Sequence, residues 1–133
     1  MAADEAGVDV VEAAWQELLG SDRVSAELIA AAYAEPRLRR LFPWVGMWEL
    51  HFSRCTEFRP TWDVPYISPK GVGRDYSGSY FVEGPSRVQH VGEAASVREA
   101  VAMVVERLPA NCGPAFIGSA VELAEWERKE RRL

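Results

Sequence analysis

Between positions 47 and 55 the side chains alternate in polarity, with Trp48, Leu50 and Phe52 on one side and Met47, Glu49, His51, Ser53 and Cys55 on the other. A period of two belongs to a half-buried β-strand. Such a strand must lay its apolar face on another layer, so the frame expected is a sheet with helices behind it and Trp48 buried beneath one of them. On the opposite face Glu49 and His51 project side by side, about 7 Å apart. That face and the loop after it are where a site is expected, although a solvated outer face of an antiparallel sheet would carry the same residue types. The surrounding stretch 41–63 also holds three of the five tryptophans, one of the two histidines and one of the two cysteines.

The flanking segments supply the layers. Residues 1–7 are small and acidic and are expected to fray. Val8, Val11, Trp15, Leu18 and Leu19 recur at helical spacing, which predicts a helix over 8–19 stopped at Gly20. Ser21 and Asp22 can cap a second helix over 24–34, and so short a turn makes the two pack antiparallel. A short third helix is expected over 36–41, with Pro36 in its first turn and Pro43 closing it. Beyond the central strand, Pro60, Pro65 and Pro69 exclude helix and leave 64–67 as an edge strand. Residues 70–78 read as a flexible loop, whose Gly71 and Gly73 make a turn and no phosphate cradle, because no strand-to-helix context surrounds them.

Strands are expected over 79–83 and 86–91, around Gly84 and Pro85. Ser96 with Glu99, and Ser119 with Glu122, have the spacing of capping boxes and open two more helices. The first carries an apolar stripe of Val97, Val101, Val104, Val105 and Leu108 that should cover the sheet. The second ends in Arg128, Lys129, Arg131 and Arg132, which read as a solvated helix end. Helices, then strands, then helices give an α+β fold: a small antiparallel sheet of three to four strands with helices packed on one face and an N-terminal helical pair, in a single domain over 1–133.

Charge and cysteine use narrow the function. A net charge of −5 opposes the phosphate attraction that dominates nucleic-acid binding, so no nucleic-acid partner is expected. No apolar run has the length of a membrane span and the acidic N-terminus lacks a signal, so a cytoplasmic protein without membrane contact is expected. Cys55 and Cys112 stand in no metal or redox spacing and are expected as free thiols. Arginine outnumbers lysine thirteen to two, which suits bidentate capture of carboxylates, although high-GC codon usage gives the same bias.

Two chemistries fit the 47–66 region. His51 is a candidate general base with Glu49 as its orienting carboxylate, since imidazole titrates near neutral pH. His51 and Cys55 would supply only two metal ligands, so no metal is expected. The aromatic set Trp44, Trp48, Trp62 and Tyr66, interleaved with Arg54, Arg59 and Asp63, has the composition of a surface that grips a partner. Trp62 and Tyr66 are expected exposed on the proline-rich loop, and that patch together with open sheet edges points to a homodimer.

The pieces RLFPWVGM, HFSRCT and TWDVPYI, followed by GPSRVQHVGEAASVREAVAMVVERLPANCGPAFIGSAVEL, carry a resemblance that covers nearly the whole chain after about position 8. The chain resembles a family of small actinobacterial natural-product biosynthesis proteins, which includes the lysinoalanine-forming enzyme of cinnamycin- and duramycin-type lanthipeptides. The resemblance implies a cofactor-free aza-Michael cyclase whose partner is a modified lanthipeptide precursor: a lysine amine adds to a dehydroalanine of the same peptide. It assigns no catalytic position. Glu49, His51, Arg54, Trp62, Asp63 and Tyr66 are expected to shape the peptide groove, and a carboxylate of the substrate can serve as base. A non-catalytic immunity or accessory module, gripping a peptide or protein through the same surface, is the alternative.

Overall fold

The computed structural model describes residues 2–22, 24–70, 79–86, 88–110 and 112–132, with side chains described within 10–130. Among them run α1 (Ala2–Leu19), α2 (Ala26–Ala34), α3 (Pro36–Arg39), β1 (Phe42–Gly46), β2 (Glu49–Ser53), β3 (Tyr66–Pro69), β4 (Tyr80–Glu83), β5 (His90–Ala94), α4 (Val97–Glu106) and α5 (Ala120–Arg132). The strands form an antiparallel sheet in the order β1-β2-β3-β4-β5, every neighbour joined in sequence order. The class is α+β, with helices on one face and an N-terminal helical pair.

The sheet has five strands because the chain turns back earlier than the alternation of 47–55 implies. Pro43 does not close a helix but sits inside β1, opposite Phe52. As an end strand of the sheet, β1 tolerates the missing N–H of proline. Met47 and Trp48 are the two loop residues between Gly46 and Glu49, with left-handed φ of 51° and 63°. Positive φ at both central positions is the I′ pattern that matches hairpin twist. Trp48 is therefore 57% exposed and Met47 77%, so Trp48 does not lie beneath a helix as the alternation predicts.

The core lies between the helices and one face of the sheet. Leu50, Phe52, Ile67, Tyr80, Val82 and Ala94 meet Trp15, Leu28, Ile29, Leu38, Val101 and Val104. Each large side chain so buried contributes about 1.5–3 kcal/mol. α1 lies on β1, α4 on β3, β4 and β5, and α2 touches both helices. The Trp15 indole N–H donates to the carbonyls of Arg39 at 2.8 Å and Leu41 at 3.2 Å, which pins α1 to the corner where α3 passes into β1.

Both serines cap their helices, but only Ser119 with Glu122 closes a reciprocal box, since the Glu99 carboxylate accepts from the Ala95 N–H instead of that of Ser96. Ser96 Oγ accepts from the Glu99 N–H at 3.1 Å, and Ser119 Oγ accepts from the Glu122 N–H at 3.1 Å while Glu122 Oε1 accepts from the Ser119 N–H at 3.0 Å. Those bonds to Ser119 hold the Glu122 carboxyl below its ordinary value. Ser25, and not Ser21 or Asp22, caps α2. α1 already begins at Ala2, within the segment expected to fray. β5 starts at His90 and not at residue 86 as expected, because Gly84 N–H donates to the Gln89 carbonyl at 2.9 Å and the two residues close a turn before the strand. The expected glycine turn at Gly71 and Gly73 lies outside the described residues. No helix among the described residues is long and apolar enough to cross a membrane.

Candidate functional site

Strand alternation places Glu49, His51 and Ser53 on the face turned away from the core, yet all three are buried. That face of β2 is not a solvated outer surface. The register explains what covers it: Trp44 of β1 stands opposite His51, and Leu50 opposite Ile67 brings Tyr66 of β3 beside His51 on the other side.

The imidazole is sandwiched. The Trp44 ring stacks on it at 4.0 Å between centroids and 15° between planes, and the Tyr66 ring at 4.5 Å and 21°. With both faces occupied, Trp62 meets the imidazole at its edge, 5.9 Å away and at 85°, and stands 5.3 Å from Trp44 at 89°. Each aromatic pair is worth about 0.5–1.5 kcal/mol beyond its burial. Nε2 of His51 shares a 3.0 Å hydrogen bond with Glu49 Oε1, and His51 is only 3% exposed. Sequence reasoning pairs these two residues correctly, but the pair is enclosed and not presented to solvent.

Two glycines set the width of this stack. A Cβ on Gly46 would come within 3.0 Å of the Trp44 ring, and one on Gly84, at φ 97°, within 3.0 Å of the Tyr66 ring. Trp62 adopts a left-handed φ of 57°, a conformation that costs roughly 1–3 kcal/mol in a residue other than glycine. It is half exposed, whereas Tyr66 is buried, contrary to the expectation that both form a surface patch. Tyr66 stands in β3 and not on the loop, which lays its ring along His51.

Trp62 and Tyr66, with Pro85 and Ser86 from the turn before β5, line a cavity of about 360 Å³. That is within the usual size range of ligand sites. Its wall is mainly apolar, with Tyr66 and Ser86 as its hydroxyl-bearing residues, and suits an apolar or amphipathic segment. Pro85 and Ser86 carry no motif; only their place across from Tyr66 brings them in.

Arg54 does not reach the cavity. Its Nε donates to Asp63 Oδ2 at 2.7 Å and its Nη1 to Glu127 Oε2 at 3.0 Å, so it clamps the loop after β2 to α5. Burial pulls the guanidinium pKa down, and the hydrogen bonds and charges of Asp63 and Glu127 more than offset it, leaving it raised. Arg54 and Asp63, expected in the groove, thus pair with each other in the loop that carries Trp62, and Glu127 of α5 completes an ion triad with them. Ser53 Oγ accepts from the N–H groups of Cys55 and Thr61, both at 3.2 Å, fastening the same loop. Residue 55 forms a parallel bridge with 116, and Thr56 N–H donates to the Phe116 carbonyl at 3.0 Å, so a late segment of the chain closes over this side.

Trp44 Nε1 and Asp63 Oδ1 are buried without a hydrogen-bond partner among the described residues. Among those residues no group of three or more His, Cys, Asp or Glu is placed to hold a metal ion. Cys55 and Cys112 are free thiols, and burial pushes Cys112 up against the pull of the Arg54 and Arg40 charges.

A family model, that of DUF6193, described as a family of unknown function, matches residues 9–119. Comparison with curated proteins and with solved structures gave no match.

Proposed function

The chain belongs to DUF6193, a family of unknown function, and within it we propose, from the resemblance and the site, that this chain is a lysinoalanine cyclase, folding a dehydroalanine-bearing lanthipeptide precursor so that a lysine amine meets the alkene. One observation carries the reading. The pieces RLFPWVGM, HFSRCT and TWDVPYI, on which the resemblance rests, are the ones that supply Trp44, His51, Trp62 and Tyr66 of the enclosure.

The amine lone pair attacks the β-carbon of dehydroalanine, the alkene electrons move to the α-carbon, and that carbon takes a proton while the ammonium has lost one. No oxidant, metal or cofactor enters this balance. Deprotonating a lysine of pKa near 10.4 costs about 4–5 kcal/mol at pH 7. Holding the two groups in attack geometry supplies roughly 7–11 kcal/mol. Positioning alone therefore suffices, with a substrate carboxylate as base. The enclosed His51 fits this division of labour: with Trp44 and Tyr66 on its faces and Glu49 on Nε2, it supports the walls of the cavity and stays out of the substrate's reach.

Under this reading the protein works in the cytoplasm and pairs with a second copy. Phe58, Ile117, Val121 and Trp126 are exposed apolar residues on or near α5 that such a contact would cover. The second reading, a peptide-gripping module without chemistry, is favoured by the same burial of His51.

Turnover separates the two. A dehydroalanine-bearing cinnamycin-type precursor is incubated with substoichiometric protein, then treated with a thiol and an amine-reactive reagent and weighed by mass spectrometry. Protein-dependent loss of both thiol capture and the free amine is the expected result. Retention of both, with stoichiometric peptide binding, replaces the cyclase with the binding module.

A further inference from the structure

The hairpin between β1 and β2 carries a feature that the cavity does not use. Its two-residue loop is Met47 and Trp48, both at left-handed φ, with side chains 77% and 57% exposed. Asparagine and glycine are the residues that reach this conformation at low cost, and large side chains are disfavoured there. Within the fold the two side chains bury little, so the chain's own packing does not explain them. Strained residues held in this way gather at binding sites.

We propose that the Met47 and Trp48 tip is a second contact for the peptide seated at the Trp62 and Tyr66 cavity, an inference that rests on the peptide reading above. The tip and the enclosure share one hairpin: Gly46 pairs with Glu49 immediately below the loop, and Trp44 pairs with His51 two pairs further on. An apolar peptide leaving the cavity would find tryptophan and methionine again at the end of that hairpin. Tryptophan dominates binding energy at interfaces, and methionine adapts to irregular apolar surfaces.

Other occupants fit less well. A standard protein interface takes about 20–30 residues a side, far more than a two-residue tip supplies for a dimer of its own. An anionic lipid surface would meet a chain of net charge −5. The arginines at 37, 39 and 40 precede β1, at the far end of that strand.

The test separates fold from contact. Met47→Asn combined with Trp48→Gly installs the residues the turn favours and removes the apolar tip, and Trp48→Asn is the milder companion. Melting temperature is measured for each, and affinity for a fluorescently labelled cinnamycin-type precursor by anisotropy. The double variant is expected to melt at or above the wild-type temperature while binding about tenfold or more weakly, with Trp48→Asn in between. Wild-type affinity in both variants would overturn the second contact and leave the peptide reading standing. A wild-type protein that does not bind the precursor would overturn both.

Discussion

Gly84 holds the site's tightest steric position. Its φ of 97° and the 3.0 Å approach that a Cβ would make to the Tyr66 ring leave no room for a side chain. Gly84→Ala is expected to cost about 1–3 kcal/mol and to displace Tyr66 from His51, read as a lower melting temperature with altered near-UV circular dichroism. Trp62 carries the opposite balance, because it is half exposed and strained while walling the cavity. Trp62→Ala should therefore change stability little yet slow ring closure by roughly 100-fold, the size of effect expected from misplacing reacting groups by an ångström; an unchanged rate would remove the cavity from the mechanism. Arg54→Met leaves Asp63 and Glu127 facing each other without their cation. A loss of about 2–3 kcal/mol is expected in chemical denaturation, only partly restored by Arg54→Lys, which keeps the charge and loses the fork.

At the scale of elements, stability is set at helix ends as much as in the core. Ser96→Ala removes the α4 cap and should cost about 1 kcal/mol, a fall of roughly 4 °C in melting temperature. Two carboxyls are held below their ordinary value: Glu12, by hydrogen bonds from Tyr33 and then Gln16, and Glu122, by its bonds to Ser119. A carboxyl with a lower folded pKa stabilises the fold above its unfolded value of 4.5, and that stabilisation is lost as pH falls through the folded value. Tyr33 is shifted up, first by its bond to Glu12, so its contribution is present below 10.0 and lost as pH rises through the folded value. A plateau in melting temperature with decline at both ends is expected, and Ser119→Ala should make the acid limb shallower. The helices and the serine caps of α4 and α5 were legible in the sequence because spacing and capping are local, whereas the cap of α2 was misplaced among three nearby candidates. β1 was not, since Pro43 reads as a stop and the pair Met47 and Trp48 has no turn chemistry; an alternating run thus concealed a reversal of the chain. The pairing of Glu49 with His51 was legible from strand period, but their enclosure was not, because Trp44 and Tyr66 reach His51 only through the register of two other strands.

For the whole molecule, one sheet serves two layers: helices on the core face, and on the other face the aromatic enclosure with the loop after β2. Far-UV circular dichroism, which follows the helices, and near-UV circular dichroism, which follows the stacked rings, should show one shared denaturation midpoint. Two separate midpoints would mean that the enclosure melts on its own. The bridge from residue 55 to 116, the bonds from Thr56 and Glu57 to Phe116 and Gly118, and the clamp from Arg54 to Glu127 all join β2's outgoing loop to a part of the chain at least 60 positions later. On a ribosome, which makes about 5–20 residues per second, the nascent chain therefore has β1 to β5 and α1 to α4 about 1–4 seconds before Glu127 can lock the loop bearing Trp62. Until then the loop after β2 lacks its tie to α5, so the fastening around Trp62 is completed only by a segment made after the sheet.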